Sequence, residues 1–311
     1  MNYNTHTDQP TPDFGNKKRG RFKKGILIFV AVIATLMVLF FSFILSLRWV
    51  NPPVTAFTLQ EDWQELEMER YNLRDYWVQG DDLPEHLKWA VIASEDQRFY
   101  EHRGIDWEAV DEALEERRSG ERVRGASTIT QQVAKNLYLW PAQSFFRKGI
   151  EAGIALTIDF MWSKERILEV YLNIAEFGPG IFGIGMAAEH FYGVHASELE
   201  PESSAIFAAV LPNPKRMRVE PPSPFAEERS HWILRQMTMI TGTPYVDITV
   251  TDPGRLFMET QQFFEALYGD QMSGLEQIDT DDELEEEDWI EPDFQIDLEP
   301  IPLDTLLLEN E

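Results

Sequence analysis

Ala93-Ser-Glu-Asp-Gln-Arg-Phe-Tyr-Glu-His-Arg-Gly104 places two carboxylates where an apolar helix stops and a polar turn begins. Upstream, Leu83, Leu87, Ala90, Val91 and Ser94 recur at helical spacing, and Pro84 stands where a first helical turn accepts it. Glu95 and Asp96 therefore close the helix, and Gly104 closes the turn that follows. Carboxylates at the negative end of a helix, against apolar packing, take up protons more readily than in water. Such a group suits a general base. From this stretch alone a solvated charged turn reads equally well.

Farther along, Gly125-Ala-Ser-Thr-Ile-Thr-Gln-Gln132 gathers hydroxyls and amides, and Lys135 follows. Arg147 and Lys148 then stand four and three residues before a second acid, Glu151. Within 144–161, Phe146, Ile150, Ile154 and Ile158 form an inward stripe at steps of four, with Arg147 and Glu151 on the neighbouring stripe. By itself, an Arg–Glu pair at this spacing is a modest surface salt bridge of about 0.3–0.5 kcal/mol. The order is what carries information: acid, hydroxyl and amide cluster, cations, second acid.

Taken together, Glu95-Asp96…Phe99…His102…Gly104, Gly125…Ser127-Thr-Ile-Thr-Gln-Gln132, Arg147-Lys148…Glu151 and Lys164…Ile167-Leu168-Glu169…Tyr171-Leu172-Asn173 resemble the consecutive motifs of the peptidoglycan glycosyltransferases, glycosyltransferase family 51. The resemblance spans residues 83–241 and is nearest to the monofunctional form, since no transpeptidase domain follows. It implies a mainly α fold, with a lysozyme-like helical lobe and a smaller membrane-facing lobe. It also implies polymerisation of lipid II into β-1,4-linked glycan strands, with inversion at the anomeric carbon and release of undecaprenyl diphosphate. Ala126 departs from the pattern by one methyl group, standing where the family often has a second glycine.

The chemistry gives each residue an expected role. An attacking sugar hydroxyl is weakly acidic and needs a positioned carboxylate to take its proton; Glu95 is the expected base. A leaving diphosphate needs cations rather than a general acid. Lys135, Arg147 and Lys148 are the candidates, Arg as a bidentate fork and Lys as a point charge. Glu151 would orient these cations or hold a divalent ion, Mg²⁺ or Mn²⁺, at the diphosphate. Ser127, Thr128, Gln131 and Gln132 are the expected neutral donors to phosphate and sugar. His102, with no second His at metal spacing, reads as structural. Asp96 either tunes Glu95 by like-charge repulsion or binds backbone amides, while Glu169 and Asn173 read as polar contacts inside the core.

Two acids in a helical lobe also admit a lytic or hydrolytic glycosidase acting on finished peptidoglycan. Cleavage of a neutral glycosidic bond leaves no diphosphate to neutralise, so cations between the acids favour the polymerase. A third reading, an inactive membrane scaffold, sits poorly with a complete set of polar positions.

The 311 residues contain no Cys, which excludes disulfides and thiolate chemistry, and their net charge of −27 is uneven. Residues 1–24 hold six Lys/Arg against two Asp, whereas 242–311 hold one Arg against 21 Asp/Glu. An acidic total argues against nucleic acid as a partner, since that needs a broad basic face. Residues 1–24 read as a basic cytoplasmic N-terminus and 25–47 as a transmembrane helix. Its uncharged run of 22 residues, 26–47, is enough for a bilayer core of about 30 Å. A cleaved signal peptide competes, but its apolar region is shorter and ends in a small-x-small site not found here. The basic flank puts the rest of the chain on the outer, periplasmic face of the cytoplasmic membrane.

Residues 48–82 read as a juxtamembrane linker, and 83–241 as the catalytic domain. Helices are expected over 106–118, 128–138, 144–161, after Ser163, and over 187–191, 201–211 and 226–241, without a series of alternating strands. Gly178-Pro-Gly-Ile-Phe-Gly-Ile-Gly185 lacks the preceding strand of a nucleotide loop and reads as close helix packing. Residues 137–146 are unusually apolar, either core or, as the resemblance implies, a patch dipping into the membrane. Residues 242–311 read as a disordered acidic tail. Over 297–308, acids alternate with Ile296, Leu298, Ile301, Leu303 and Leu306–Leu308, a candidate docking segment for a partner that no sequence feature identifies; cell-wall synthesis or division proteins are the partner class the resemblance implies.

Overall fold

The computed structural model describes residues 14–119, 127–140 and 144–246. Gly125, Ala126, residues 141–143 and the acidic tail from 247 onward, with its docking segment, lie outside the described residues.

The chain divides into two units, Met1–Val50 and Asn51–Glu311. In the first, α1 (Phe14–Ser46) is one helix that already includes the basic cluster. Its stretch Ile26–Ser46 is long and apolar enough to cross a membrane. Most of its large apolar side chains are exposed, Leu27 at 70% and Phe29 at 66%, as in a helix built for an apolar solvent.

The second unit is mostly helical. In order it contains α2 (Ala56–Gln60), α3 (Glu85–Glu95), α4 (Trp107–Ser119), α5 (Ile129–Tyr138), α6 (Phe145–Met161) and α7 (Lys164–Ile174). There follow β1 (Glu176–Gly178), β2 (Ile181–Phe182), α8 (Ile184–Tyr192), α9 (Pro201–Val210) and α10 (Pro224–Thr241). Helix starts follow local chemistry. The side chains of Thr128, Ser144, Ser163 and Ser223 each accept the backbone N–H three residues on, satisfying donors the helix leaves open. Gly242, in the left-handed region at φ +69, ends α10.

Two groups of helices meet in this unit. α3, α9 and α10 pack on one another, and α5 packs on α6 and α7. In the first group Leu87, Ala90 and Val91 of α3 are fully buried, along with Phe207 of α9 and Ile233 and Met237 of α10. A buried Leu or Phe of this kind contributes about 1.5–3 kcal/mol, and Leu87→Ala would remove about 2–5 kcal/mol through the cavity it leaves. Gly104 turns the chain between α3 and α4 at φ +77, and a Cβ there would sit 2.9 Å from the Ala155 carbonyl of α6.

Two expectations need correction. The segment read as a linker over 48–82 packs into the body from Asn51 on. Thr55 and Thr58 form a buried reciprocal cap for α2, and Leu73 and Val78 are 2% and 3% exposed. The Asn173 side chain bonds both the N–H and the C=O of Val78, and Glu169 takes the Trp77 indole N–H at 2.9 Å. These long-range side-chain bonds leave no periodicity in the sequence.

Among the described residues the strands are confined to one short antiparallel hairpin, with Glu176 opposite Phe182 and Gly178 opposite Ile181, consistent with the expected absence of an alternating series. The glycines beyond it do serve close packing: a Cβ at Gly185 would collide with the Tyr76 carbonyl.

Finally, the inward stripe of α6 holds for Ile154 and Ile158, at 6% and 0% exposure, but Phe146 is 76% exposed and Phe145 96%. The first turn of α6 runs past the body. Of the apolar stretch 137–146, Leu137 and Leu139 are core, whereas Trp140, Phe145 and Phe146 face outward.

Candidate active site

Glu95 is the last residue of α3, and its side chain is 11% exposed. Both carboxylate oxygens are held. The Gln132 amide on α5 donates to Oε2 at 2.9 Å, and the Ser94 hydroxyl donates to Oε1 at 3.0 Å. A guanidinium nitrogen of Arg229, on α10, stands 3.7 Å from Oε1. The two helix groups therefore meet at this carboxylate.

Asp96 does something different from its neighbour. It accepts the Ile129 N–H at 3.0 Å, at the first residue of α5, and the Nε2 of His102 at 2.9 and 3.1 Å. A carboxylate at a helix N-terminus is favoured by the unsatisfied N–H groups there. Of the two roles open to Asp96, the structure shows the binding of a backbone amide. His102, 8% exposed at its side chain, pins that carboxylate, as a structural histidine would.

The second acid is almost completely buried. Glu151 is 2% exposed, taking Arg147 Nη1 on one oxygen at 2.7 Å and Lys148 Nζ on the other at 2.8 Å. Lys148 also donates to the Ser127 hydroxyl at 2.7 Å. The pair that sequence spacing values as a surface bridge is thus a buried anchor for two cations. Ser127 and Gln132 flank the start of α5, one reaching the cationic cluster and the other reaching Glu95.

The remaining expected site residues divide. Thr128 and Gln131, 2% and 4% exposed, form a reciprocal cap at the start of α5, and the Thr128 hydroxyl donates to the Gly104 carbonyl at 2.7 Å. They build the scaffold and do not line an open surface. Lys135, one turn beyond Gln131, carries its ammonium over the Phe57 ring at 5.8 Å from the centroid.

Three residues at this site have no role assigned by the sequence reading. Ser94 stands there only in the helical spacing that leads to Glu95, Tyr171 only within the last resembling motif, and Arg229 only within the helix expected over 226–241. Arg229 is 3% exposed, and its guanidinium donates to the Ser94 carbonyl at 3.3 Å and hydroxyl at 2.9 Å. Burial lowers its proton affinity and the Glu95 charge raises it again. A signal was available: Arg229 interrupts the stripe formed by Ala226, Ile233 and Met237, and an arginine at a core position needs a partner. Tyr171 is fully buried, and burial, followed by the charges of Glu95 and Asp96, keeps its phenol neutral far above the usual range. It donates to the Gln132 amide oxygen at 2.9 Å.

A divalent ion on Glu151 does not fit these residues. Each of its oxygens already accepts from a cation, so an added ion would meet two positive charges at close range. Among the described residues no group of three or more His, Asp or Glu side chains converges to hold a metal. The geometry matches the other expected role of Glu151, orienting Arg147 and Lys148.

Comparison with known proteins places the chain in a family. Residues 62–238 match the family model described as Transglycosylase. A biosynthetic peptidoglycan transglycosylase of Aeromonas hydrophila is 45% identical over 213 residues, 68% of this chain and 88% of the relative. Proteins of the same description from Ectopseudomonas mendocina and Marinomonas sp. are 47% and 43% identical, over 66% and 72% of this chain and 85% and 96% of theirs.

Proposed function

The chain belongs to the transglycosylase family, and on that premise we propose that this peptidoglycan glycosyltransferase polymerises lipid II into β-1,4-linked glycan strands by direct, inverting displacement. Glu95 takes the proton from the acceptor sugar hydroxyl as its oxygen attacks the donor anomeric carbon. The bond from that carbon to the diphosphate oxygen breaks with its electron pair, and undecaprenyl diphosphate departs. Attack opposite the leaving group turns the α-linked donor into a β linkage.

Arg147 and Lys148 meet the charge on the diphosphate, Lys135 adds a third cation along α5, and Glu151 holds the first two in place. Lys148 is 46% exposed at its side chain and so remains accessible to a ligand. Ser127 lies beside it as a neutral partner. Gln132 acts first on Glu95 and, through it, on the acceptor.

The observation that carries this reading is the buried Glu151 with a cation on each oxygen. It supports charge neutralisation at a leaving diphosphate, and it speaks against a lytic acid, because a carboxylate between two cations is an acceptor and not a proton donor.

The same reading extends to location. α1 anchors the protein in the cytoplasmic membrane, with the basic cluster inside and the catalytic body outside. Exposed Trp140, Phe145, Phe146 and Phe160 support a body that leans on the lipid surface. The catalytic domain then extends from about Asn51 to Thr241.

The test is incubation of purified lipid II with the detergent-solubilised protein, alongside Glu95→Gln. A muramidase-sensitive ladder from the wild type, absent with the variant, is expected. Untouched lipid II together with shortened preformed strands would overturn the polymerase in favour of the lytic enzyme.

A further inference from the structure

The Glu95 carboxylate lies at the junction of two hydrogen-bond relays that come from opposite helix groups. On one side, the Tyr171 hydroxyl of α7 donates to the Gln132 amide oxygen at 2.9 Å, and the Gln132 NH₂ donates to Glu95 Oε2 at 2.9 Å. On the other, Arg229 of α10 donates to the Ser94 hydroxyl at 2.9 Å, and that hydroxyl donates to Glu95 Oε1 at 3.0 Å. We infer that Tyr171 and Arg229 are positioning residues, which fix the Glu95 carboxylate through Gln132 and Ser94 so that one lone pair stays aimed at the acceptor hydroxyl.

The direction of each relay follows from its groups. An amide can face Glu95 with its oxygen or its NH₂, and only the NH₂ is compatible with a carboxylate. The Tyr171 phenol, neutral because it is buried, offers a proton and so selects the orientation with the amide oxygen towards itself. Ser94 has one hydroxyl proton and two acceptors in range, Glu95 Oε1 and the Ala208 carbonyl at 3.2 Å. Arg229 can only donate, so it occupies a lone pair of the Ser94 oxygen and leaves that proton for an acceptor, Glu95 being the nearer. Arg229 also grips the Ser94 carbonyl, fixing the backbone next to the base. A carboxylate tethered at both oxygens cannot rotate, and reacting groups displaced by about 1 Å lose on the order of a hundredfold in rate.

Tyr171 and Arg229, at 1% and 3% exposure, offer almost no surface to a substrate, so their loss should act on the chemical step. This inference rests on Glu95 being the base. The experiment therefore compares Glu95→Gln, Tyr171→Phe and Ser94→Ala in the full-length, detergent-solubilised protein. It reads kcat and KM on lipid II together with the thermal unfolding midpoint. Arg229→Lys, which keeps the buried charge but not the fork, reports on the arginine itself.

With Glu95→Gln inactive, Tyr171→Phe, Ser94→Ala and Arg229→Lys are each expected to lower kcat by about tenfold, with KM within about twofold and the unfolding midpoint close to wild type. If Glu95→Gln is inactive but any of the other three keeps kcat within about twofold of wild type, the two-sided lock fails while the base stands. A rise in KM, or loss of activity only in step with loss of folded protein, assigns a substrate contact or a structural role and overturns positioning. An active Glu95→Gln removes the base and the relays with it.

Discussion

Glu151→Gln tests the buried anchor most directly, because it changes the charge and almost nothing of the shape. The wild-type carboxylate is 2% exposed and accepts a charge-assisted bond on each oxygen. Such bonds contribute about 1.5–3 kcal/mol each. The Arg147 bond counts nearly in full, since the Arg147 side chain is 11% exposed and its Nε is buried without a partner. The Lys148 bond is screened, because that side chain is 46% exposed, and counts for under about 1 kcal/mol. The amide oxygen of Gln restores one neutral bond, which leaves a net loss of about 1–3 kcal/mol. For a body of this size that lowers Tm by about 2–12 °C. Thermal unfolding of wild type and variant, followed side by side by tryptophan fluorescence in detergent, measures it. Polymerisation assayed well below both transitions then isolates the effect on chemistry. A variant that melts within about 1 °C of wild type would refute the claim that Glu151 is a buried structural anchor for the cations.

Three further outcomes follow from the same geometry. Burial, only partly offset by Lys215 and the Gly180 N–H, pushes the Glu176 carboxyl up from 4.5 to about 7. The folded state therefore binds the Glu176 proton more tightly than the unfolded chain, and this contribution, full below about pH 4.5, is lost as pH rises through about 7. Glu176→Gln should flatten that decline, gaining up to about 2–3 kcal/mol over wild type by pH 8; parallel denaturation curves at pH 5 and pH 8 would deny it. Thr128→Ala removes the cap of α5 and the bond to Gly104, with an expected loss of about 1–2 kcal/mol and an unaltered KM. A raised KM at unchanged stability would return Thr128 to the substrate contacts. Phe145→Ser with Phe146→Ser should leave stability within about 0.5 kcal/mol, yet lower the rate on lipid II in liposomes by about tenfold relative to detergent micelles. Equal rates in both settings would detach these side chains from the membrane.

Much of the molecule is legible because it is local. The apolar run 26–47 needs only its length and lack of charge to read as a membrane span. Ser144 and Ser163 cap helices because each side chain reaches an N–H three residues on. The order of Glu95, Ser127–Gln132, Arg147–Lys148 and Glu151 marks the family without any coordinates. Thr128 and Gln131 read as donors to substrate because the same hydroxyl and amide serve a cap and a sugar equally well, and burial in the cap favours the first use. Phe146 reads as inward because it continues a four-residue stripe, although the helix runs past the body it packs on.

What the sequence determined by itself was therefore the α-helical class, an apolar segment long enough to cross a membrane and the residues available for chemistry, since these rest on spacing within a few positions. Only the tertiary structure decided which of those residues meet. Gln132 reaches Glu95 across 37 positions and Arg229 reaches Ser94 across 135. Contacts of that kind depend on how packed helices orient their faces towards one another, which no local period encodes.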